Sequence, residues 1–270
     1  MPDYKEIATD ARIAALKLIY NAQTSHLASC FSVADILAVL FEKADLKKDK
    51  IILSCGWKAA IFYHFLANKG FFTHKELEEN YCKDGSLYIG LVEPSVNGIE
   101  YSGGSMGHGL PAAVGYALSK KLKGEEGTVY CLMSDGELAI GTTWESALIA
   151  AHHKLDNLKV IIDYNFLQAM GRTKEILDIG NAYSDWDQFG TTLNQKFVSF
   201  GWNVMAVDGH KFNSIEQSVD FGFGEGMPCV AIVKTTKGKG VSFMEGENQW
   251  HYRAPNKDEF DKALEELCHF

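Results

Sequence analysis

The stretch SDGELAIGTTWESALIAAHHKLDNLKVIIDYN, residues 134–165, decides the fold prediction. It follows the short apolar run TVYCLM (128–133), contains the helical pattern TTWESALIAAHHKL (142–155), and ends on a second apolar run, KVIID (159–163). Apolar residues that are continuous rather than alternating indicate strands buried on both faces of a parallel sheet. These residues therefore predict a strand–helix–strand unit whose two strands point the same way.

The same alternation of apolar runs and helical patterns extends over the rest of the chain. Further runs typical of strands are KIILS (50–54), NVMAV (203–207) and CVAIVK (229–234), and further helical patterns are WKAAIFYHFLANKG (57–70) and LPAAVGYALSKKLKG (110–124). Strands that alternate with helices predict a doubly wound α/β fold with a mainly parallel sheet. Because no Ser/Gly-rich linker or repeat interrupts the pattern, we expect residues 1–270 to form a single domain.

Composition and charge argue against several classes of protein. The formal net charge of −9 disfavours a nucleic-acid partner and an anionic membrane surface. No apolar run reaches the ~18 residues that a membrane span needs, and the N-terminal residues lack the pattern of a signal peptide. The six cysteines are scattered without a CxxC pair, which is neither a zinc pattern nor a disulfide framework. This cysteine usage predicts a cytoplasmic location.

Two polar residues stand where the strands of residues 134–165 are predicted to end. Asp135 follows the first strand and Asn165 ends the second, thirty positions later (165 − 135 = 30). Because the carboxyl ends of parallel strands lie at one edge of a sheet, both side chains can reach one point. Their oxygens suit Mg²⁺, which completes its shell with phosphate oxygens and water. The unit therefore predicts a metal–diphosphate site, although an ordinary Asp-Gly turn and a polar strand end would give the same two residues.

The stretch resembles the thiamine diphosphate motif of transketolases, which runs from Gly-Asp-Gly to an Asn at this separation; Ser134 replaces the first glycine. Three more segments resemble that family in the family's own order: SHLASCFSVADILAVLF (25–41), YSGGSMGHGLPAAVGYAL (101–118) and KTTKGKGVSFMEGENQWHYRAPN (234–256). The resemblance covers nearly the whole chain and points to the N-terminal subunit of split, two-gene transketolases. It implies the thiamine diphosphate-binding fold, with residues 1–270 as the diphosphate-binding domain.

The resemblance implies thiamine diphosphate and Mg²⁺ (or Ca²⁺) as cofactors. It implies Asp135, Asn165 and the backbone carbonyl of Leu167 as metal ligands. Residues implied to lie at the cofactor, with Met106 near its thiazolium ring and the backbone of residues 136–137 at its diphosphate, are Gly104, Ser105, Met106, Gly136, Glu137, Asn165 and Trp57. His26 and His251 match active-site histidines of the family, which implies proton transfer to sugar hydroxyls.

The resemblance also implies that half of the active site lies on another chain. Ketol transfer in this family needs a glutamate of the pyrimidine-binding domain, which residues 1–270 do not include. We therefore expect the partner to be a C-terminal transketolase-like subunit of about 300 residues, in an α2β2 heterotetramer. The expected reaction is transfer of a two-carbon ketol (or acyl) unit between sugar or sugar-phosphate substrates.

Two departures from the family pattern affect the expected donor. In SCGW (54–57), Trp57 stands where the family has a histidine that touches the diphosphate. Leu91 follows Gly90 where the family has a histidine at the donor's first carbons. A more apolar site suggests a non-standard donor. Three alternatives remain: a 2-oxoacid decarboxylase or acyl transferase subunit, a non-catalytic subunit that binds the cofactor and, least favoured for want of the fingerprint glycines, a nicotinamide dehydrogenase.

Overall fold

A sheet of five strands lies at the centre of the molecule, whose computed structural model describes residues 2–179, 191–222 and 226–270. The strands are β1 (Lys50–Leu53), β2 (Val129–Ser134), β3 (Leu158–Tyr164), β4 (Asn203–Asp208) and β5 (Cys229–Lys234). Their order across the sheet is β1-β2-β3-β5-β4, and every neighbouring pair is parallel. Each of the five predicted strands is present, which confirms the predicted doubly wound α/β fold.

Both faces of the sheet are buried, as the continuous apolar runs predicted. Along β1, Ile51 and Leu53 pack into one hydrophobic core, whereas Ile52 packs into a second core on the opposite face. The same alternation divides Tyr130 from Cys131 on β2. Successive side chains of a strand point to opposite faces, so a strand covered on both sides is apolar at most of its positions.

Helices cover both faces of the sheet. Within the described residues they are α1 (Tyr4–Ala22), α2 (Leu27–Lys43), α3 (Ala59–Asn68), α4 (His74–Asn80), α5 (Gly109–Lys123), α6 (Gly141–His152), α7 (Thr173–Ile176), α8 (Thr191–Ser199), α9 (Phe212–Asp220) and α10 (Lys257–Cys268). Three of them, α3, α5 and α6, are the helices that the patterns at 57–70, 110–124 and 142–155 predicted. None of the helices described is long and apolar enough to cross a membrane.

Helix α2 is deeply buried, and a predicted site residue stands directly before it. Every residue from Leu27 to Phe41 is buried, since α2 packs against α1, α3 and α9. The residue before it, His26, has a left-handed backbone with φ of 73°. Its N–H donates to the carbonyl of His251 at 2.8 Å. This contact joins the start of α2 to the segment that follows β5, so two histidines far apart in sequence become neighbours.

Candidate active site

The polar ends of β2 and β3 meet at the carboxyl edge of the sheet. The register pairs Ser134 with Asp163, so Asp135 and Asn165 follow directly beyond two adjacent strands. Both residues line a cavity of about 350 Å³, and Leu167 lines it too. The structure thus brings together the three residues that were predicted as metal ligands.

Most of the other predicted site residues line the same cavity. Those in its wall, including the three just named, are His26, Trp57, Gly104, Met106, Asp135, Gly136, Asn165, Leu167 and His251. The two remaining predicted residues, Ser105 and Glu137, are not part of this wall: Ser105 is exposed and Glu137 is fully buried behind it. Roles of individual residues stay predictions, but their convergence is a property of the fold.

Glu137 holds the cavity wall together from behind. Its carboxylate accepts hydrogen bonds from the backbone N–H of Ser134 at 2.8 Å and of Gly107 at 3.1 Å, and from the hydroxyl of Ser54. These bonds tie the Asp-Gly turn to the end of β1 and to the glycine-rich loop. The side chain of Glu137 therefore fixes three segments, which the sequence did not indicate.

Two glycines allow the segment after β1 to touch the glycine-rich loop. A Cβ atom at Gly56 would lie 2.5 Å from the backbone of Gly103, and one at Gly103 would lie 2.6 Å from the Cα of Gly56. Side chains cannot occupy such gaps, so only glycine permits this approach. Because of it, Trp57 and Gly104, the next residue on each segment, face the same cavity.

The three predicted metal ligands form a set of hard oxygen donors. Asp135 accepts hydrogen bonds from the N–H of Gly136 at 2.9 Å and the hydroxyl of Thr173 at 2.8 Å, and Asn165 Oδ1 accepts one from the N–H of Leu167 at 3.2 Å. Burial raises the pKa of Asp135 to about 7. A nearby cation would stabilise its ionised form. One carboxylate, one amide oxygen and one carbonyl fit an ion that takes its remaining ligands from phosphate and water.

A buried ion pair supports this edge of the sheet. The ammonium of Lys58 binds Asp163, and both side chains are almost fully buried. Asp163 also accepts hydrogen bonds from the hydroxyls of Ser32, at 2.6 Å, and Thr235. Burial alone would raise the pKa of Asp163, but Lys58 and these donors hold it below its usual value. Because Lys58 also lines the cavity, its ammonium lies beside the predicted diphosphate site, with its charge balanced by Asp163.

The two predicted catalytic histidines lie against each other. The rings of His26 and His251 are 4.9 Å apart between centroids, and burial lowers their pKa values to about 4 and about 3. Nδ1 of His26 lies 2.7 Å from the hydroxyl of Ser25, and Nδ1 of His251 lies 2.7 Å from the ammonium of Lys237. Since an ammonium only donates, Nδ1 of His251 accepts this hydrogen bond, and the neutral ring carries its proton on Nε2.

A family comparison agrees with this geometry. Residues 4–269 match the family described as the thiamine diphosphate binding domain of transketolase. The chain belongs to the transketolase family. This confirms the resemblance on which the site residues were predicted, and the fold that it implied.

Individual relatives of this family cover the chain almost completely. The chain is 35% identical to a subunit of the apulose-4-phosphate transketolase of Actinobacillus succinogenes, over 98% of this chain and 96% of that one. It is 30% identical to the SqwG subunit of the 6-deoxy-6-sulfo-D-fructose transketolase of Clostridium sp., over 98% and 96%. The crystal structure of transketolase from Campylobacter jejuni superposes with a TM-score of 0.86 at 26% identity, over 99% of this chain and 43% of that one. The chain is thus a transketolase-like transferase subunit.

The outer part of this transketolase cavity is apolar. Trp57, Leu91, Met106 and Tyr252 line it. Leu91 is 37% exposed, and its Cδ1 lies 3.1 Å from where a Cβ atom on Gly104 would be, so Leu91 packs on the glycine-rich loop. Sequence reasoning predicted this apolar side from Trp57 and Leu91.

Among the cavity residues that the sequence did not indicate, three have long, buried polar side chains. They are Lys58, Lys237 and Gln168, all of them buried polar residues of the wall or directly behind it. For Lys58 a signal existed, because a lysine interrupts the otherwise apolar pattern WKAAIFYHF (57–65). Lys237 lies in the polar, glycine-containing segment TTKGKG (235–240), and Gln168 follows the end of a strand in a loop; neither pattern marks the residue as buried.

Proposed function

We propose that the chain holds the diphosphate half of thiamine diphosphate, together with Mg²⁺ or Ca²⁺, in the cavity at the sheet edge. The observation that supports this most strongly is the convergence of Asp135, Asn165 and Leu167 on one cavity. Oxygens of these three residues would bind the metal ion, and the metal ion would bind the diphosphate. Gly136 and the glycine-rich loop at 104–106 would border the cofactor. The ammonium of Lys58, paired with Asp163, lines the cavity as well.

The function that we propose is transfer of a two-carbon ketol or acyl unit between sugar or sugar-phosphate substrates. When bound, thiamine diphosphate supplies a carbanion that adds to a carbonyl carbon. His251, neutral and with its proton on Nε2, would donate a hydrogen bond to a substrate oxygen. His26, also neutral, can accept a proton from a hydroxyl. Their ring contact keeps both groups at the same end of the cavity.

A partner chain would complete the site. We propose that residues 1–270 act as a diphosphate-binding domain and that the glutamate for the pyrimidine ring comes from a C-terminal transketolase-like subunit of about 300 residues. An α2β2 assembly in the cytoplasm follows from this proposal. Two relatives that match the chain over nearly their whole length are each named as one subunit of a transketolase, which supports a divided enzyme.

The apolar wall supports a donor other than an ordinary pentose phosphate. The side chain of Leu91 cannot give the donor the hydrogen bond that a histidine would give, and a buried donor hydroxyl without a partner loses binding energy. Both relatives act, by their names, on unusual sugars, apulose 4-phosphate and 6-deoxy-6-sulfofructose. The same wall would also accept a two-carbon acyl unit from a 2-oxoacid. Release of CO₂ from pyruvate by the purified complex would identify that second function.

Native mass spectrometry tests the proposal. The complex would be purified from its own cells in Mg²⁺ buffer and weighed without denaturation. We expect a second chain and one thiamine diphosphate per heterodimer. A lone chain or homodimer without cofactor would contradict the proposal. A complex that holds cofactor but turns over neither ketoses nor 2-oxoacids would indicate a non-catalytic binding subunit.

A further inference from the structure

Gln168 is a buried polar residue in the wall of the cavity. Its side chain is only 8% exposed, and the amide nitrogen Nε2 has no hydrogen-bond partner among the described residues. Leaving a buried donor unpaired is costly, so native proteins rarely do so without a reason. The unpaired N–H group therefore indicates an acceptor that belongs in the cavity.

The backbone around Gln168 is held firmly in place. Its N–H donates to the carbonyl of Gly171 at 2.9 Å, and Leu167 pairs with Arg172 in an antiparallel bridge. The N–H of Thr173 donates to the carbonyl of Phe166 at 2.9 Å. The backbone of Gln168 thus belongs to a fixed turn, and rotation of the side chain, including its soft χ3 torsion, can aim the amide N–H at a ligand in the cavity that the residue lines.

Gln168 lies beside the Asp-Gly turn that borders the proposed diphosphate site. A Cβ atom on Gly136 would be 3.6 Å from Cγ of Gln168, 3.7 Å from its Cδ and 3.6 Å from Sδ of Met106. The glycine therefore leaves an open space between Gln168 and Met106. Gly136 directly follows Asp135, so a ligand in this space lies next to the metal ligands.

We propose that the amide of Gln168 donates a hydrogen bond to a phosphoryl oxygen of the bound cofactor. A thiazolium ring carries positive charge and offers an N–H group no good acceptor, whereas a diphosphate has several strong ones. Gln168 is then a cofactor-binding residue beyond the set predicted from the family pattern. This inference rests on the proposed function, since it needs thiamine diphosphate in the cavity.

The proposal predicts opposite effects of one substitution on binding and on stability. Gln168→Met keeps the size of the side chain but removes the amide, so it should weaken thiamine diphosphate binding by about 5- to 100-fold. In the cofactor-free protein it removes an unpaired buried donor, so the unfolding midpoint should stay the same or rise. A residue with only a structural role would lose stability and affinity together.

The test is a titration of the full chain, with any partner chain that co-purifies from its own cells, against thiamine diphosphate in Mg²⁺ buffer. Inorganic diphosphate serves as a competitor that lacks the rings. Gln217→Met, on the exposed side of α9, is the matched control and should bind like the wild type. In Gln168→Met we expect the dissociation constants of thiamine diphosphate and of inorganic diphosphate to rise by a similar factor.

Each other outcome is informative. An unchanged affinity for thiamine diphosphate in Gln168→Met overturns the proposal. So does a loss confined to thiamine diphosphate while inorganic diphosphate competes as before, since the amide would then contact the rings. A fall in the unfolding midpoint of the cofactor-free variant would show a structural role instead. Wild-type protein that binds no thiamine diphosphate in Mg²⁺ contradicts the proposed function itself, a result separate from these.

Discussion

The two ends of the cavity differ in how closely they follow the transketolase pattern. At the sheet edge, Asp135, Asn165 and Leu167 keep the pattern and converge as it implies. At the outer wall, the predicted pattern is not kept: Leu91 stands where a donor-side histidine was expected, and Trp57 where a histidine at the diphosphate was expected. The contrast teaches that the predicted metal ligands at the strand ends can be kept while predicted histidines around them are replaced. The former depend on strand ends that the fold itself brings together, and the latter are single side chains in the connecting segments.

The largest expected effect comes from Lys58, whose ion pair supports the sheet edge. Lys58→Met would leave Asp163 buried without its cation, so the free energy of unfolding should fall by about 3–5 kcal/mol. Urea unfolding of the cofactor-free chain measures it. The double variant Lys58→Met/Asp163→Asn should recover much of the loss, because no buried charge remains. Lys75→Met, which removes an exposed lysine, should change stability by less than about 0.5 kcal/mol. If Lys58→Met is as stable as the Lys75→Met control, the role assigned to the Lys58–Asp163 pair is wrong.

Asp135→Asn tests the sheet edge alone. Removing the carboxylate should weaken thiamine diphosphate binding in Mg²⁺ buffer by more than about 100-fold, since outer-shell changes at metal sites already cost 10- to 100-fold. Burial raises the pKa of Asp135 to about 7, so the neutral variant should fold at least as stably without cofactor. Calorimetric titration and thermal unfolding measure the two effects. Asp10→Asn, at an exposed site on α1, is the control. If Asp135→Asn and Asp10→Asn bind thiamine diphosphate with equal affinity, Asp135 is not a ligand of the metal ion.

Leu91→His tests the outer wall alone. An added hydrogen-bond donor should raise kcat/KM for xylulose 5-phosphate by about tenfold and leave the dissociation constant of thiamine diphosphate unchanged. The carbonyl of Leu91 accepts from the hydroxyl of Tyr63 at 2.9 Å, so the backbone position should persist. Leu122→His, on an exposed leucine of α5, is the matched control. If the wild-type complex already uses xylulose 5-phosphate as efficiently as an ordinary transketolase, the proposed donor shift is wrong.

A smaller effect concerns His64, which lies outside both ends of the cavity. Burial, followed by the nearby His74, lowers the pKa of His64 to about 4, against about 6.5 in the unfolded chain. The unfolded chain therefore binds more protons between these values, so stability is fully present above pH 6.5 and falls as the pH drops toward 4. In His64→Gln the stability lost between pH 7 and pH 5.5 should be smaller by about 1 kcal/mol.

Chemical unfolding at the two pH values measures this effect. His153→Gln, at an exposed position after α6, should keep the wild-type pH dependence. If His64→Gln and the wild type lose the same stability on acidification, His64 is not the neutral buried group described here. The pH dependence would then come from other groups, such as the two histidines of the cavity.

Much of the sheet and the sheet edge could be predicted from sequence, because both depend on local patterns. Five apolar runs gave five strands, and the polar residues after two of them marked Asp135 and Asn165. The sequence did not reveal Lys58 with Asp163, or Lys237 with His251. Each pair depends on where long side chains point, and the first joins residues 105 positions apart. The position of Ser105 at the cofactor stays a prediction, and the structure shows its side chain exposed.

The central claim is that the ends of β2 and β3 hold a metal ion and, through it, a diphosphate. The most direct measurement is anomalous diffraction from crystals of the complex grown with Mn²⁺ and thiamine diphosphate. We predict one Mn²⁺ peak within coordination distance of Asp135, Asn165 and the carbonyl of Leu167, with diphosphate oxygens completing its shell. Bound cofactor with Mn²⁺ at other residues, or no Mn²⁺ peak in the cavity, would contradict the claim.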